Sequence, residues 1–186
     1  MALPRSAPTS CLRDIYAGRL TKWSQLGGNN LPIKMVSRIG PDSGSRRTFQ
    51  DKVINGSELG ITSDDCERKD DPAAGYHRCE VGDTRALLEK VDRIDGAIGY
   101  AELGMSRKYS RVRPVSIDKK EPLVGNITND SYRFCAREYA YTYREPPGDG
   151  SLPAGFLSYL NTEIGSNILR EGSLIPARDV PDTMCG

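Results

Sequence analysis

Hydrophobic residues recur at helical spacing in several short stretches of the chain. Leu12, Ile15 and Tyr16 share one face of a predicted helix over 11–17, with Thr9 or Ser10 as its cap and Gly18 as its stop. Phe49, Val53 and Ile54 mark a second helix, from 44 or 45 to 54. Ala86, Leu87, Leu88 and Val91 mark a third over 85–91, behind a cap at Asp83 or Thr84. Phe156, Leu157, Leu160 and Ile164 form the stripe of a helix over 152–164, and another follows over 166–171, stopped by Gly172. Between them, 33–37, 96–100 and 112–117 read as short strands. Residues 21–28 read as a loop around a buried Trp23, and Pro146-Pro147-Gly148-Asp149-Gly150 as a firm break. Strands alternating with helices give an α/β class. Residues 55–82 form a long excursion, polar apart from Leu59 and Ile61. The aromatics Tyr132, Phe134, Tyr139, Tyr141 and Tyr143 read as a strand-rich packing surface, with a base-stacking platform as the alternative.

Composition narrows the class. With 186 residues the chain is one domain, or one lobe of something larger. Its 26 basic and 25 acidic side chains nearly cancel, which argues against a generally basic nucleic-acid binder while leaving room for a local basic pocket. No apolar run is long enough to span a membrane, and residues 1–10 lack the apolar core of a secretory signal. Residues 1–10 and 178–186 read as a loose N-terminal end and a tail, and the sequence is expected to be part of a longer precursor.

The five cysteines contain no C-x-x-C pair and fit no zinc pattern. Cys66 and Cys79 bracket a polar, turn-rich stretch that cannot hold itself by burial. A disulfide closing it would add about 3 kcal/mol by constraining the unfolded chain and would imply an exported protein; two free thiols in a mobile loop are the alternative. The odd total leaves a thiol free or paired outside the chain. The single histidine, His77, falls in this loop and reads as solvated rather than as part of a triad. The paired acids Asp64-Asp65 and Asp70-Asp71 read as solvated charge. No P-loop, H-E-x-x-H or G-x-S-x-G is present, so the expectation is no enzymatic activity and no cofactor or metal.

Chemistry concentrates in Arg38-Ile39-Gly40-Pro41-Asp42-Ser43-Gly44-Ser45-Arg46. A strand ends at Arg38 and a helix begins near Gly44. A helix start offers unpaired N–H groups and partial positive charge. Gly44 lets the backbone approach a ligand, Ser43 and Ser45 add hydroxyls, and Arg38 adds a planar fork matched to two oxygens. These are the parts of a site for a small tetrahedral oxyanion. They are equally the parts of an ordinary helix capped by Asp42 or Ser43, with Arg38 as a surface charge.

The order of neighbouring segments adds to this. Ile15-Tyr16-Ala17-Gly18 with Trp23 precedes Arg38 and Ser43-Gly44-Ser45-Arg46 with Phe49; Ala97-Ile98-Gly99-Tyr100 and Gly172-Ser173-Leu174-Ile175-Pro176 follow. The series, over roughly residues 11–177, resembles the PstS-like family of phosphate-binding solute receptors of ABC transporters. The resemblance implies a type II periplasmic-binding-protein fold, with one three-layer lobe and a C-terminal strand and helix segment that belongs to a first lobe absent from this chain. It places the second lobe at 11–125, including the excursion 55–82, and the return segment at 126–177. Phosphate or a similar oxyanion would be held by Arg38, Ser43, Gly44 and Ser45, with Asp42 and Arg46 as orienting or supporting residues. It further implies extracytoplasmic location, a partner first lobe and an ABC permease. The alternative is an extracellular sensor or interaction domain of the same fold, without a transport role.

Overall fold

Met35 and Val36 are adjacent on one strand and bury into different cores, as the alternation of an extended chain requires. The structure, a computed structural model, describes residues 4, 6–40, 42–129, 131–143, 145–181 and 184–185. Its central sheet has three parallel strands in the order β3-β2-β4: β2 is Lys34–Arg38, β3 is His77–Val81 and β4 is Ala97–Ile98. Helix α1 (Thr9–Tyr16) and helix α2 (Gly44–Phe49), which runs on into a π-helical turn Gln50–Ile54, supply the first core with Leu12, Ile15, Tyr16, Phe49, Val53 and Ile54. Helix α3 (Thr84–Arg93) supplies the second with Leu87, which packs with Val36 and the Cys66–Cys79 pair. The result is an α/β arrangement, as the strand and helix order predicts, in the three layers that the resemblance implies.

Several predicted boundaries moved, each for an identifiable reason. The N-terminal end is tied down from Ser6: β1 (Ser6–Ala7) pairs in parallel with β5 (Ser116–Ile117). The expected cap at Thr9 or Ser10 is not used. Pro8 holds the N-cap position, and the Asp118 carboxylate accepts from the Thr9 N–H (2.9 Å) and from the Thr9 hydroxyl. These bonds hold the Asp118 carboxyl below its ordinary value. Only Ser116–Ile117 of the 112–117 run enters a ladder; ahead of it, the Arg113 guanidinium donates to the carbonyls of Ser110 and Val112. The 96–100 run keeps only Ala97–Ile98 as strand. Gly96 has φ +82° there, and a Cβ would sit 2.3 Å from the Pro32 carbonyl oxygen, so a side chain has no room.

Strand β3 lies inside what reads in sequence as a polar excursion. Its first three residues, His77, Arg78 and Cys79, are all buried, so neither strand alternation nor apolarity marks it. The expected Cys66–Cys79 disulfide is present, and Cys135–Cys185 forms a second, leaving Cys11 free.

His77 is therefore not a solvated loop residue. Its Nε2 is buried and has no hydrogen-bond partner among the described residues. Burial, then the charges of Lys34 and Lys69, push its pKa below the ordinary 6.5. A histidine whose folded pKa is depressed favours the fold above its unfolded pKa and weakens it as the pH falls below. Thermal stability should decline on acidification from about pH 7 to 5, and His77→Phe should flatten that slope. An unchanged slope in melting curves of the variant would show that other groups carry it.

The C-terminal part behaves differently. Helices α4 (Leu103–Ser106) and α5 (Val124–Thr128) are short, and no strand forms over residues 131–143 described here, against the expectation of a strand-rich surface. Tyr132 is buried in the first core, and Phe134 meets Phe49 edge-on at 5.9 Å. Beyond them Tyr139, Tyr141 and Tyr143 are exposed. The two helices expected over 152–164 and 166–171 are present as α6 (Leu152–Leu160) and α7 (Glu163–Glu171), with the break earlier than expected because the Thr162 side chain caps α7 by accepting from the Gly165 N–H. Leu152, Phe156, Ile164 and Ile168 on these helices lie exposed. Among the described residues no helix is long and apolar enough to cross a membrane.

Candidate functional site

Because β2 and β3 are parallel and in register, their C-terminal ends, Arg38 and Val81, share one edge; β4 pairs lower on β2, ending at Ile98 opposite Met35. Helices α2 and α3 both start at that edge. Ser43 caps α2 by accepting from the Arg46 N–H at 3.3 Å, and Asp83 caps α3 by accepting from the Ala86 N–H at 2.8 Å. The C-terminal edge of an open parallel sheet is where such folds place ligands, since helix starts and strand ends converge there.

Arg38 comes from the last position of β2 and reaches toward the start of α3. Its Nη1 donates to Thr84 Oγ1 (2.9 Å) and its Nη2 to the Gly82 carbonyl (3.0 Å). Its Nε is buried without a hydrogen-bond partner among the described residues. A buried guanidinium N–H left unpaired costs free energy until an acceptor arrives. The two bonds to the start of α3 fix the plane of the fork and leave Nε–H, with the remaining Nη hydrogens, to meet one.

The other predicted residues gather at the start of α2. Ser43 is buried and its Oγ lies 3.3 Å from Ser45 Oγ. A Cβ at Gly44 would meet nothing within 4 Å, so the space beside this backbone is open. Ser43 thus serves as the helix cap. Asp42 is exposed, and the groups that hold the two arginines are others: Thr84 and the Gly82 carbonyl for Arg38, Glu58 and Glu80 for Arg46. The orienting role expected of Asp42 passes to them.

Sequence reasoning missed the layer beneath. Arg46 Nε meets Glu58 Oε2 at 2.8 Å, and Arg46 Nη1 meets Glu80 Oε1 at 2.8 Å. Arg78 Nη2 meets Glu80 Oε1 at 2.5 Å and Glu58 Oε2 at 3.5 Å. The Glu58 side chain is fully buried and that of Arg78 nearly so. Two cations and two anions thus neutralise one another out of water, and removing one partner of such a pair costs about 3–5 kcal/mol. Burial and the Glu58 charge push the Tyr100 hydroxyl above its ordinary value, so it stays protonated and donates to Glu58 Oε2 at 3.3 Å. Nothing in the sequence marks Glu58, which lies in the polar excursion; Arg78 and Glu80 could be recognised only once β3 is known to be a strand. The disulfide Cys66–Cys79 lies in the second core, where it anchors β3. No cluster of three or more potential metal-ligating side chains occurs among the described residues.

A family model described as a PBP superfamily domain matches residues 8–163. The chain belongs to the PBP superfamily. Among curated proteins it is 29% identical over 174 residues to the phosphate-binding protein PstS of Bacillus subtilis, covering 92% of this chain and 51% of that protein. The chain therefore spans about half the length of that relative. Among solved structures it is similar to a protein assigned as a phosphate ABC transporter substrate-binding protein, with bound phosphate, from Clostridium perfringens. There the TM-score is 0.67 at 23% identity, over 94% of this chain and 64% of that one. An ABC-type phosphate transport receptor from Vibrio cholerae gives a TM-score of 0.58 at 21% identity, over 92% of this chain and 64% of that one. At these identities the structural matches establish the fold.

Proposed function

We propose that this PBP-superfamily chain forms one wall of a cleft that binds inorganic phosphate, or a similar tetrahedral oxyanion, by hydrogen bonding and without catalysis. The whole binding protein would deliver its ligand to an ABC permease. The observation that carries this reading is the buried, unpartnered Arg38 Nε–H at the end of β2, the sheet edge at which α2 starts with Ser43, Gly44 and Ser45 close by in sequence. Its Nε–H and a remaining Nη hydrogen match two oxygens of one anion, and the amides and hydroxyls at 43–45 match others. The relative from Bacillus subtilis, a phosphate-binding protein, supports the same ligand.

The opposite wall would come from a first lobe outside these residues, seated on the exposed apolar face of α6 and α7 and on the exposed tyrosines at 139–143. Glu58 and Glu80 are tied to arginines, so an acceptor for the phosphate proton, which would reject sulfate, falls to that lobe. Two closed disulfides fit an oxidising, extracytoplasmic compartment.

Phosphate titration at low salt tests the reading. The chain should bind weakly, since half the donors are elsewhere, and Arg38→Ala should lower the affinity roughly 10- to 100-fold, the worth of charge-assisted hydrogen bonds. Unaltered binding by Arg38→Ala would sink the site. Sub-micromolar binding by the wild-type chain alone would instead refute the half-site picture.

A further inference from the structure

Arg38 is gripped by its own backbone as well as by its side chain, and both grips lead to one carboxylate. Its N–H donates to Tyr100 Oη at 3.1 Å, and Tyr100 passes its proton toward Glu58. Its C=O accepts from Arg46 Nη1 at 2.9 Å, and the Nε of that guanidinium is bound to Glu58. The preceding residue is held as well: Ser37 Oγ donates to Glu58 Oε1 at 2.5 Å. One turn along the helix, Gln50 Nε2 donates to Glu58 Oε2 at 3.2 Å.

We propose that Glu58 is the positioning residue of the oxyanion site, setting through Tyr100 and Arg46 the pose of Arg38 and its spacing from Ser43, Gly44 and Ser45. This rests on the oxyanion reading of Arg38. The geometry is specific in two respects. Arg46 follows Ser45 directly, so a carboxylate that pins Arg46, whose Nη1 donates to the Arg38 carbonyl, joins the end of β2 to the start of α2 across the loop between them. The network is also neutral in sum: Glu58 and Glu80 offset Arg46 and Arg78, and the Arg38 charge stays outside it. A network that only satisfied buried charges would have no need to engage both polar groups of the Arg38 backbone. A donor fork that must meet two oxygens at once gains from a fixed backbone, because a small tilt loses the second bond.

The test compares wild type, Tyr100→Phe and Glu58→Gln by phosphate titration and by the NMR signal of the Arg38 Nε–H. Tyr100→Phe keeps every charge and the ring that stacks on Phe49 at 4.6 Å, so it should fold with a thermal midpoint close to that of the wild type. Its phosphate affinity should fall about 3- to 10-fold, the worth of one neutral hydrogen bond, and its Arg38 Nε–H signal should shift or broaden even without phosphate. Glu58→Gln should weaken binding more than about tenfold if it folds, and Tyr100→Phe decides the matter if it does not. Wild-type affinity together with an unchanged Nε–H signal in Tyr100→Phe would overturn the positioning role. A wild-type chain that shows no response to phosphate would overturn the oxyanion reading instead, while the ligand-free Nε–H comparison would still decide whether Glu58 and Tyr100 fix Arg38.

Discussion

Phe49→Ala is expected to cost about 3–5 kcal/mol of stability, a large share of what a single domain possesses. The ring is buried among three aromatics: Tyr16 edge-on at 4.7 Å, Tyr100 stacked at 4.6 Å and Phe134 edge-on at 5.9 Å. These partners come from helix α1, the segment after β4 and the C-terminal part, so one truncation opens a cavity where three distant stretches meet. Rigid neighbours of this kind cannot collapse into the space, which places the cost toward the upper end of the range. Guanidinium unfolding would measure it. A loss under about 1 kcal/mol would mean that the aromatic cluster does not hold the C-terminal segment to the sheet. Because Tyr100 also touches the backbone of Arg38, the same variant should loosen the proposed anion site before it unfolds.

Opening the Cys66–Cys79 bridge, as Cys66→Ala with Cys79→Ala, is expected to remove about 3 kcal/mol. The bridge closes a polar loop with a sequence separation of 13 residues. Both sulfurs are also part of the second core, beside Val36 and Leu87, so their loss adds a packing deficit to the greater entropy of the unfolded chain. Strand β3 carries Cys79, and with it Arg78 and Glu80. The expected result is therefore a lower thermal midpoint together with weaker anion binding. A double variant with wild-type stability would show that burial of β3 alone holds the excursion in place.

Much of this was legible along the chain. The helices with an apolar stripe and a nearby capping side chain, α2 behind Ser43 and α3 behind Asp83, stand close to where periodicity puts them, because pattern and cap are local and point the same way. The loop between Arg38 and Ser43 announced a candidate site for the same reason: its residues are neighbours in sequence, and a strand end followed by a helix start is a local event. What misled was burial of polar groups. Strand β3 begins with buried His77 and Arg78, and hydrophobicity cannot reveal a strand whose inward positions are charged. The boundary between the two C-terminal helices shifted on a smaller scale, since an apolar stripe runs through Thr162 but its hydroxyl starts the second helix there.

The amino-acid order determined the α/β class, the helices with their own caps, the closing of Cys66 on Cys79 and the succession of a strand ending in Arg38 and a helix starting at Gly44. Each of these follows from residues near one another or from a pattern with a fixed period. Only the tertiary structure decided that Asp118 would cap a helix 109 residues away, that His77 would be buried, and that Glu58 would hold Tyr100, Arg46 and Arg78 together under the Arg38 backbone. The physical reason is that a buried charge has no preferred partner in sequence. It takes the partners that folding brings within hydrogen-bond reach, and those come from a polar loop, a helix and two strands that meet only once the sheet has formed.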